Sequence, residues 1–327
     1  MSSLIAVYVV IFALCIGSFL NVVILRGLSG EDIVFSRSKC PKCGKQLKWY
    51  MNIPLLSYIF LRGKCGFCKE KISIQYPIVE FITGCSFLVT YLVFGLTFKT
   101  IFICIFLALF IVISTTDILE TVIIDYHAYI LFVVALLYAF FKIGDVTIIQ
   151  AIIGGIGGFV ILELIARLGY LISNFRIFGE GDSLIALGLG AIFGLRDFLI
   201  LLCLSISIQS IAAIPLLIKN SFRTGNKRLG VSYIFVILSI VAVLIINFSN
   251  IAINSITYIG ILILIVTALI WSLKNILVSV KNKKELNFEE AKEKFTLFPF
   301  GPAMIVSGII GIFFLEQIKM AIKMFLY

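Results

Sequence analysis

Residues 4–25 read LIAVYVVIFALCIGSFLNVVIL, a run without one charged side chain. As a helix rising about 1.5 Å per residue it would match a hydrocarbon core of roughly 30 Å. No Lys or Arg precedes it and no small-residue cleavage site is evident, so it is expected to remain as a membrane helix rather than act as a signal peptide. Similar runs recur near 77–98, 100–116, 127–142, 146–172, 197–218, 231–248, 256–280 and 302–322. Of the 327 residues, 61% are hydrophobic and 13% charged, whereas soluble domains run at roughly 45–50% and about 25%. That balance excludes an ordinary soluble enzyme, a disordered chain and a secreted disulfide scaffold. About 200 apolar residues at ~20 per span allow at most nine or ten crossings. The sequence therefore predicts an all-α, polytopic transmembrane helical bundle.

A shorter run, 183–194, lies between Asp182 and Arg196. At ~18 Å it is too short for a full span, and reads as a partial or re-entrant helix or as a short one in a thinned region. Charge sets the orientation. With residue 1 outside and each run crossing, 22 of the 27 Lys and Arg residues fall on the cytoplasmic side, in 26–71, at 167 and 176, in 219–228 and in 274–294. Only Lys99, Lys142, Arg196, Lys319 and Lys323 fall opposite. Cytoplasmic loops carry the basic excess in membrane proteins, so the N-terminus is expected outside, in a plasma or inner membrane. The net charge of +10 is then loop charge, and no nucleic-acid partner is expected. Four segments follow: a first membrane helix (1–26), a polar cytoplasmic domain (27–76), a membrane core (77–218), and C-terminal membrane helices with charged loops (219–327).

Cys40-Pro41-Lys42-Cys43 and Cys65-Gly66-Phe67-Cys68 form two C-x-x-C pairs in the polar domain. Two such knuckles around one ion give zinc-ribbon geometry, and about 50 residues need a staple of this kind to hold a fold. Two disulfides or a redox pair are the alternatives; a reducing cytoplasm disfavours the first and the duplication disfavours the second. A closed set of four thiolates leaves no position for a catalytic water, so the zinc is structural. Gly44, Gly66 and Pro41 suit the tight turns. Cys15, Cys85, Cys104 and Cys203 stand alone in apolar runs, where a small buried hydrophobe is the usual role.

Acids at membrane depth carry the chemistry, because they are costly there. The candidates are Glu80, Asp117, Glu120, Asp125, Glu163 and Asp182. Asp117 follows the run 100–116, and Asp182 lies in Phe178-Gly179-Glu180-Gly181-Asp182, two crossings later. The topology puts both at the cytoplasmic face. Two carboxylates within about 3 Å share one proton, so one can draw a proton from water while the other polarises a peptide carbonyl. Gly179 and Gly181 would let a peptide backbone approach closely. The bland readings remain beside this one: Asp182 as a helix N-cap, Asp117 as a loop acid. Glu163 with Arg167 reads as an i,i+4 ion pair, Glu120 and Asp125 as solvated loop acids, and His127 as an interfacial polar residue.

Taken in order, these residues resemble the bacterial type IV prepilin peptidase family over nearly the whole chain. The resemblance runs through Gly17-Ser18-Phe19-Leu20-Asn21-Val22 and Arg26, both cysteine pairs, Trp49-Tyr50-Met51-Asn52-Ile53-Pro54, Ser57-Tyr58, Leu61-Arg62-Gly63-Lys64 and Tyr76-Pro77-Ile78-Val79-Glu80. Asp117, Gly179-Glu180-Gly181-Asp182, Gly190, Gly194 and Pro299-Phe300-Gly301-Pro302 complete it. The resemblance implies that Asp117 and Asp182 are the catalytic aspartates of a membrane aspartic endopeptidase. It implies that the enzyme removes the basic leader of prepilins and pseudopilins, after a glycine, at the cytoplasmic membrane face. The substrate's apolar helix would arrive through the lipid, with pilus or type II secretion machinery as associated partners. It further implies N-methylation of the new N-terminus with S-adenosylmethionine, an activity tied to the N-terminal part, where Glu80 and Asn21 are candidates for that site or for interhelical contacts.

The chain departs from the family's pattern in three places. Ile124 stands where a Pro is usual, Gly27-Leu28-Ser29 lacks a Pro expected after Arg26, and Leu184 replaces a common Lys. None removes a catalytic group. Two rivals keep the same membrane frame without proteolysis: a transporter whose broken helix and acids form an ion site, and an inactive or methylating scaffold.

Overall fold

The computed structural model describes residues 2–32, 38–173, 179–223 and 299–326. The expected runs 231–248 and 256–280, the loop 281–298 and positions 224–228 lie outside the described residues. Eight α-helices are present among those described: α1 (Ser2–Ser29), α2 (Leu56–Phe60), α3 (Gln75–Phe94), α4 (Phe98–Glu120), α5 (Asp125–Phe140), α6 (Ile148–Ser173), α7 (Glu180–Arg223) and α8 (Gly301–Leu326). A single 3-10 turn, Trp49–Asn52, precedes α2. Six helices (α1, α3, α4, α6, α7 and α8) are long and apolar enough to cross a membrane, and α5 is a shorter apolar helix. Pairing of the strand type is confined, among the described residues, to two isolated bridges. Two compact units result, Met1–Ile206 with Pro299–Tyr327 and, separately, Ser207–Phe298; of the second, only the closing turns of α7 are described.

The helices close on one another where side chains are smallest. α1 packs along α3 and α4. A Cβ on Gly17 of α1 would come within 2.8 Å of the Glu80 backbone in α3 and 3.1 Å of Thr83. Leu20 and Ile24 of α1, Val79 of α3 and Val112 of α4 fill the space beside that crossing. Apolar lipid offers no hydrophobic gain for such contacts, so close backbone approach and dispersion carry them. Between α6 and α7 the same device is stronger. Gly154 and Gly190 each face the other's carbonyl oxygen so closely that neither has room for a Cβ, and a Cβ on Gly158 would stand only 2.7 Å from Ala186 O.

Several hydroxyls are satisfied inside their own helices, as suits a medium without water. Thr83 Oγ1 donates to Val79 O (2.7 Å), Thr115 to Ile111 O (2.6 Å) and Ser307 to Met304 O (2.7 Å). At one end of the α4–α5 pair, Phe98, Phe102, Phe106, Tyr138 and Phe141 form an aromatic cluster with centroids 5.4–6.4 Å apart. That cluster braces the pair at one end and leaves the acids at the other.

One sequence expectation holds and another changes. The run 183–194 is a short helix: it opens α7, whose segment Glu180–Arg223 is two helices that meet at a kink at Gly194 (φ 74°, ψ 162°). Just past the kink, Asp197 Oδ2 is held by Lys319 Nζ of α8 at 2.7 Å. The isolated cysteines are not small buried hydrophobes. Cys15, Cys85 and Cys203 are exposed and Cys104 is half-buried; the outward face of a membrane helix is apolar, so a thiol there needs no core.

Candidate active site and metal centre

The inserted domain is built on two knuckles of identical backbone plan. In the first, Lys39 bridges Gln46, Cys40 N–H donates to Lys45 O (3.0 Å) and Gly44 N–H returns to Cys40 O (2.9 Å). In the second, Lys64 bridges Lys71, Cys65 N–H donates to Glu70 O (2.8 Å) and Lys69 N–H returns to Cys65 O (3.0 Å). The residue after the second cysteine is left-handed in both, Gly44 at φ 68° and Lys69 at φ 61°. Gly66 lies in the turn between the second pair of cysteines, as expected. Its bare Cα receives Met51 Cε, which would stand 2.6 Å from a Cβ.

The four sulfurs of Cys40, Cys43, Cys65 and Cys68 lie within 4.8 Å of one another, with Cys40 and Cys68 Sγ 3.9 Å apart. A tetrahedral ion with metal–sulfur bonds of about 2.3 Å requires sulfurs about 3.8 Å apart, so the set fits a metal ion. The N–H groups of Cys68 and then Phe67 point at Cys65 and hold its thiol down from 9.0 to about 6. That favours the thiolate a metal needs.

This domain is tied to the membrane helices by Glu80. Its Oε2 accepts the Leu55 N–H at 2.7 Å, which fixes Leu55 in an unfavourable left-sided conformation (φ 58°) ahead of α2. Asn21 Nδ2 donates to Tyr76 O (3.1 Å) and Gly17 O (3.3 Å), joining α1 to the start of α3. Both residues thus make the interhelical contacts that were one of their two expected roles.

Asp117 lies in the last turn of α4, not beyond it, and is 5% exposed. Its own carbonyl accepts the N–H of Thr121 (2.9 Å), whose left-handed conformation ends the helix. The chain then turns through Ile123 into α5. Asp182 is 6% exposed and sits in the first turn of α7. It is not the N-cap. Gly179 precedes the helix, and Asp182 Oδ2 reaches back to accept the Gly179 N–H at 2.9 Å, the second half of a capping box.

The two acid-bearing segments abut directly. Ile123, six positions past Asp117, fills the space over Gly181, where a Cβ would meet Ile123 Cβ at 2.5 Å. Gly181 is thus accounted for by packing, whereas among the described residues only Asp182 Oδ2, at 3.5 Å, would face a Cβ on Gly179. On the other side of the turn, Ile124 and Tyr126 lie against Gly27 at the end of α1, each 3.0 Å from a Cβ built there. A third segment closes the site from far along the chain. Asp117 Oδ2 occupies the space where a Cβ on Gly301 would stand, and Ile185 Cδ1, one turn beyond Asp182, is 3.0 Å from the same point. That oxygen is buried and has no hydrogen-bond partner within bonding geometry among the described residues. Sequence alone gives Gly301 of Pro299-Phe300-Gly301-Pro302 no role.

Other acids stand as expected. Glu163 pairs with Arg167 (3.0 Å) and accepts from Ser183 Oγ (3.3 Å), which ties α6 to α7 beside Asp182. Glu120 and Asp125 are exposed. His127 differs from expectation: it is 3% exposed, its ring tilted 49° against Tyr126 with centroids 4.1 Å apart, and neither ring nitrogen has a hydrogen-bond partner among the described residues.

Comparison with known proteins gives two family matches. Residues 11–94 match the bacterial peptidase A24 N-terminal domain, and residues 104–214 match the type IV leader peptidase family. A protein of Myxococcus xanthus named prepilin leader peptidase/N-methyltransferase is 33% identical over 68% of this chain and 66% of its own length. Proteins of the same name from Vibrio cholerae (31% identical, 58% of this chain, 79% of theirs) and Neisseria gonorrhoeae (28%, 62% and 79%) also match. The chain thus spans from just under two thirds to about four fifths of these relatives. No solved structure matches.

Proposed function

The chain belongs to the type IV leader peptidase family, and we propose that it is a membrane aspartic endopeptidase that removes the basic leader of prepilins and pseudopilins, with Asp117 and Asp182 as its catalytic pair. One observation carries the residue assignment. These two acids are buried, and the turn after Asp117, the glycines before Asp182 and the start of α8 meet around them. The chemistry is hydrolysis by a carboxylate pair sharing a proton. The ionised partner takes a proton from the attacking water, and the protonated one donates to the carbonyl oxygen as it becomes an oxyanion. The proton then moves to the leaving nitrogen as the C–N bond breaks. Gly179, where among the described residues only Asp182 would face a Cβ, is the place where an extended peptide can lie beside Asp182.

The excess of Lys and Arg in the loops holding the cysteine domain supports a cytoplasmic active face with the N-terminus outside. A basic leader would remain on that side while the substrate's apolar helix enters from lipid. Zinc suits the four sulfurs and would be held by Cys40, Cys43, Cys65 and Cys68, where it supplies fold and no reaction step. N-methylation with S-adenosylmethionine is proposed on the relatives' names alone. Glu80 and the Asn21 amide nitrogen are engaged in contacts of the fold.

The test is to incubate the purified protein with full-length prepilins in lipid and read the product's N-terminus by mass spectrometry. The expected product starts immediately after the leader's glycine. No cleavage of several prepilins, under conditions where a relative cuts them, would favour the transporter or scaffold.

A further inference from the structure

α8 begins beside the carboxylate of Asp117. The Phe300 carbonyl accepts from the N–H groups of Ala303 (3.0 Å) and Met304 (3.2 Å), so Phe300 is the N-cap, Gly301 the first helical residue and Pro302 the second. The first N–H groups of a helix have no partner in its own ladder, and Pro302 has none to offer. The N–H of Gly301 faces the Asp117 carboxylate. Asp117 Oδ2, buried and without a hydrogen-bond partner among the described residues, fills the place of a side chain at 301.

Conformation does not explain this glycine. Its φ is not in the left-handed range, and in ordinary helical geometry Ala is favoured over Gly by up to about 1 kcal/mol. Space explains it. We propose that Gly301 is a positioning residue of the hydrolytic site: its bare Cα and its N–H fix where the Asp117 carboxylate stands relative to Asp182. The inference rests on the aspartate assignment above. A methyl group at 301 drives the carboxylate off by roughly 1 Å, and misplacement on that scale costs on the order of a hundredfold in rate. Another glycine of α8 provides the control. At Gly308 a Cβ would meet Leu189 Cδ2 at 2.7 Å, the movable end of a side chain.

The experiment compares purified full-length Gly301→Ala and Gly308→Ala with wild type in prepilin cleavage. Gly301→Ala is expected to lower kcat about a hundredfold with KM within about threefold, and Gly308→Ala to stay within about threefold in both. A Gly301→Ala enzyme with kcat within threefold of wild type, or with its loss in KM, overturns the proposal. Folding is read separately, by melting Gly301→Ala in the wild-type and Asp117→Ala backgrounds. The substitution should lower Tm only where the carboxylate remains. Equal lowering in both backgrounds, or failure to fold in both, overturns the proposal as well. If wild type itself cuts nothing, the peptidase reading fails, and the melting comparison still decides whether Gly301 is fitted to Asp117.

Discussion

The sulfur cluster and the aspartate site are built on opposite rules. In the inserted domain every ligand position is filled from within one short segment: two knuckles, each closed by its own backbone hydrogen bonds, turn four sulfurs inward. In the membrane core two acids arrive on different helices, a third segment closes over them from α8, and one carboxylate oxygen has no hydrogen-bond partner among the described residues. A closed shell stabilises and does nothing more. Chemistry needs a buried polar atom whose partner is the substrate or its water, and the fold tolerates the cost of burying it.

The contrast can be broken first at the metal. Apparent binding energies of structural zinc are about 10–16 kcal/mol near neutral pH, so Cys65→Ser or strong chelation should unfold the knuckles. Limited proteolysis would then nick the chain between 38 and 73 while α3 and α4 stay intact. Unchanged protection there would mean that the domain does not depend on its cluster. A smaller effect is expected at the joint between the two regions. Glu80→Ala leaves the part-buried Leu55 N–H without its acceptor, at a cost of about 1 kcal/mol, whereas Glu80→Gln keeps an acceptor. The two variants should differ in Tm, and equal melting would show that the Leu55 bond carries no weight. Lys319→Ala removes the partly exposed tie to Asp197 and should cost no more than about 1 kcal/mol; a larger drop in Tm would make that pair a principal brace of α7. Ile124→Pro should change least. Ile124 has φ −80° as the N-cap of α5, within reach of proline's fixed value, so cleavage and Tm should both stay near wild type. A tenfold loss of cleavage would show that the missing proline matters to the turn beyond Asp117.

How much was legible follows from how local each feature is. C-x-x-C spacing is a local signal, and the sulfur cluster could be read from it, although the left-handed Lys69 of the second knuckle could not: lysine does not advertise that conformation as Gly44 does. The apolar runs disclosed the membrane helices because length and charge suffice for that. The short helix ahead of Gly194 could be read from the length of its apolar run, whereas the tie from Asp197 to Lys319 of α8 is a tertiary fact. Asp117 and Asp182 were singled out by depth and resemblance, but their burial and the Ile123–Gly181 contact are tertiary facts. Gly301 was the hardest. A Pro-Phe-Gly-Pro break announces a turn, and nothing in it says that the turn ends on an aspartate nearly two hundred residues away.

The account stands most directly on the pair itself. Prepilin cleavage should be measured for Asp117→Asn and Asp182→Asn, each shown to melt as wild type and to hold its metal. Removing one member of a catalytic set that acts as a unit costs about a thousandfold or more, so each variant is expected to be inactive against the same substrate that wild type cuts. Cleavage by either variant within about tenfold of wild type would contradict the assignment of the carboxylate pair.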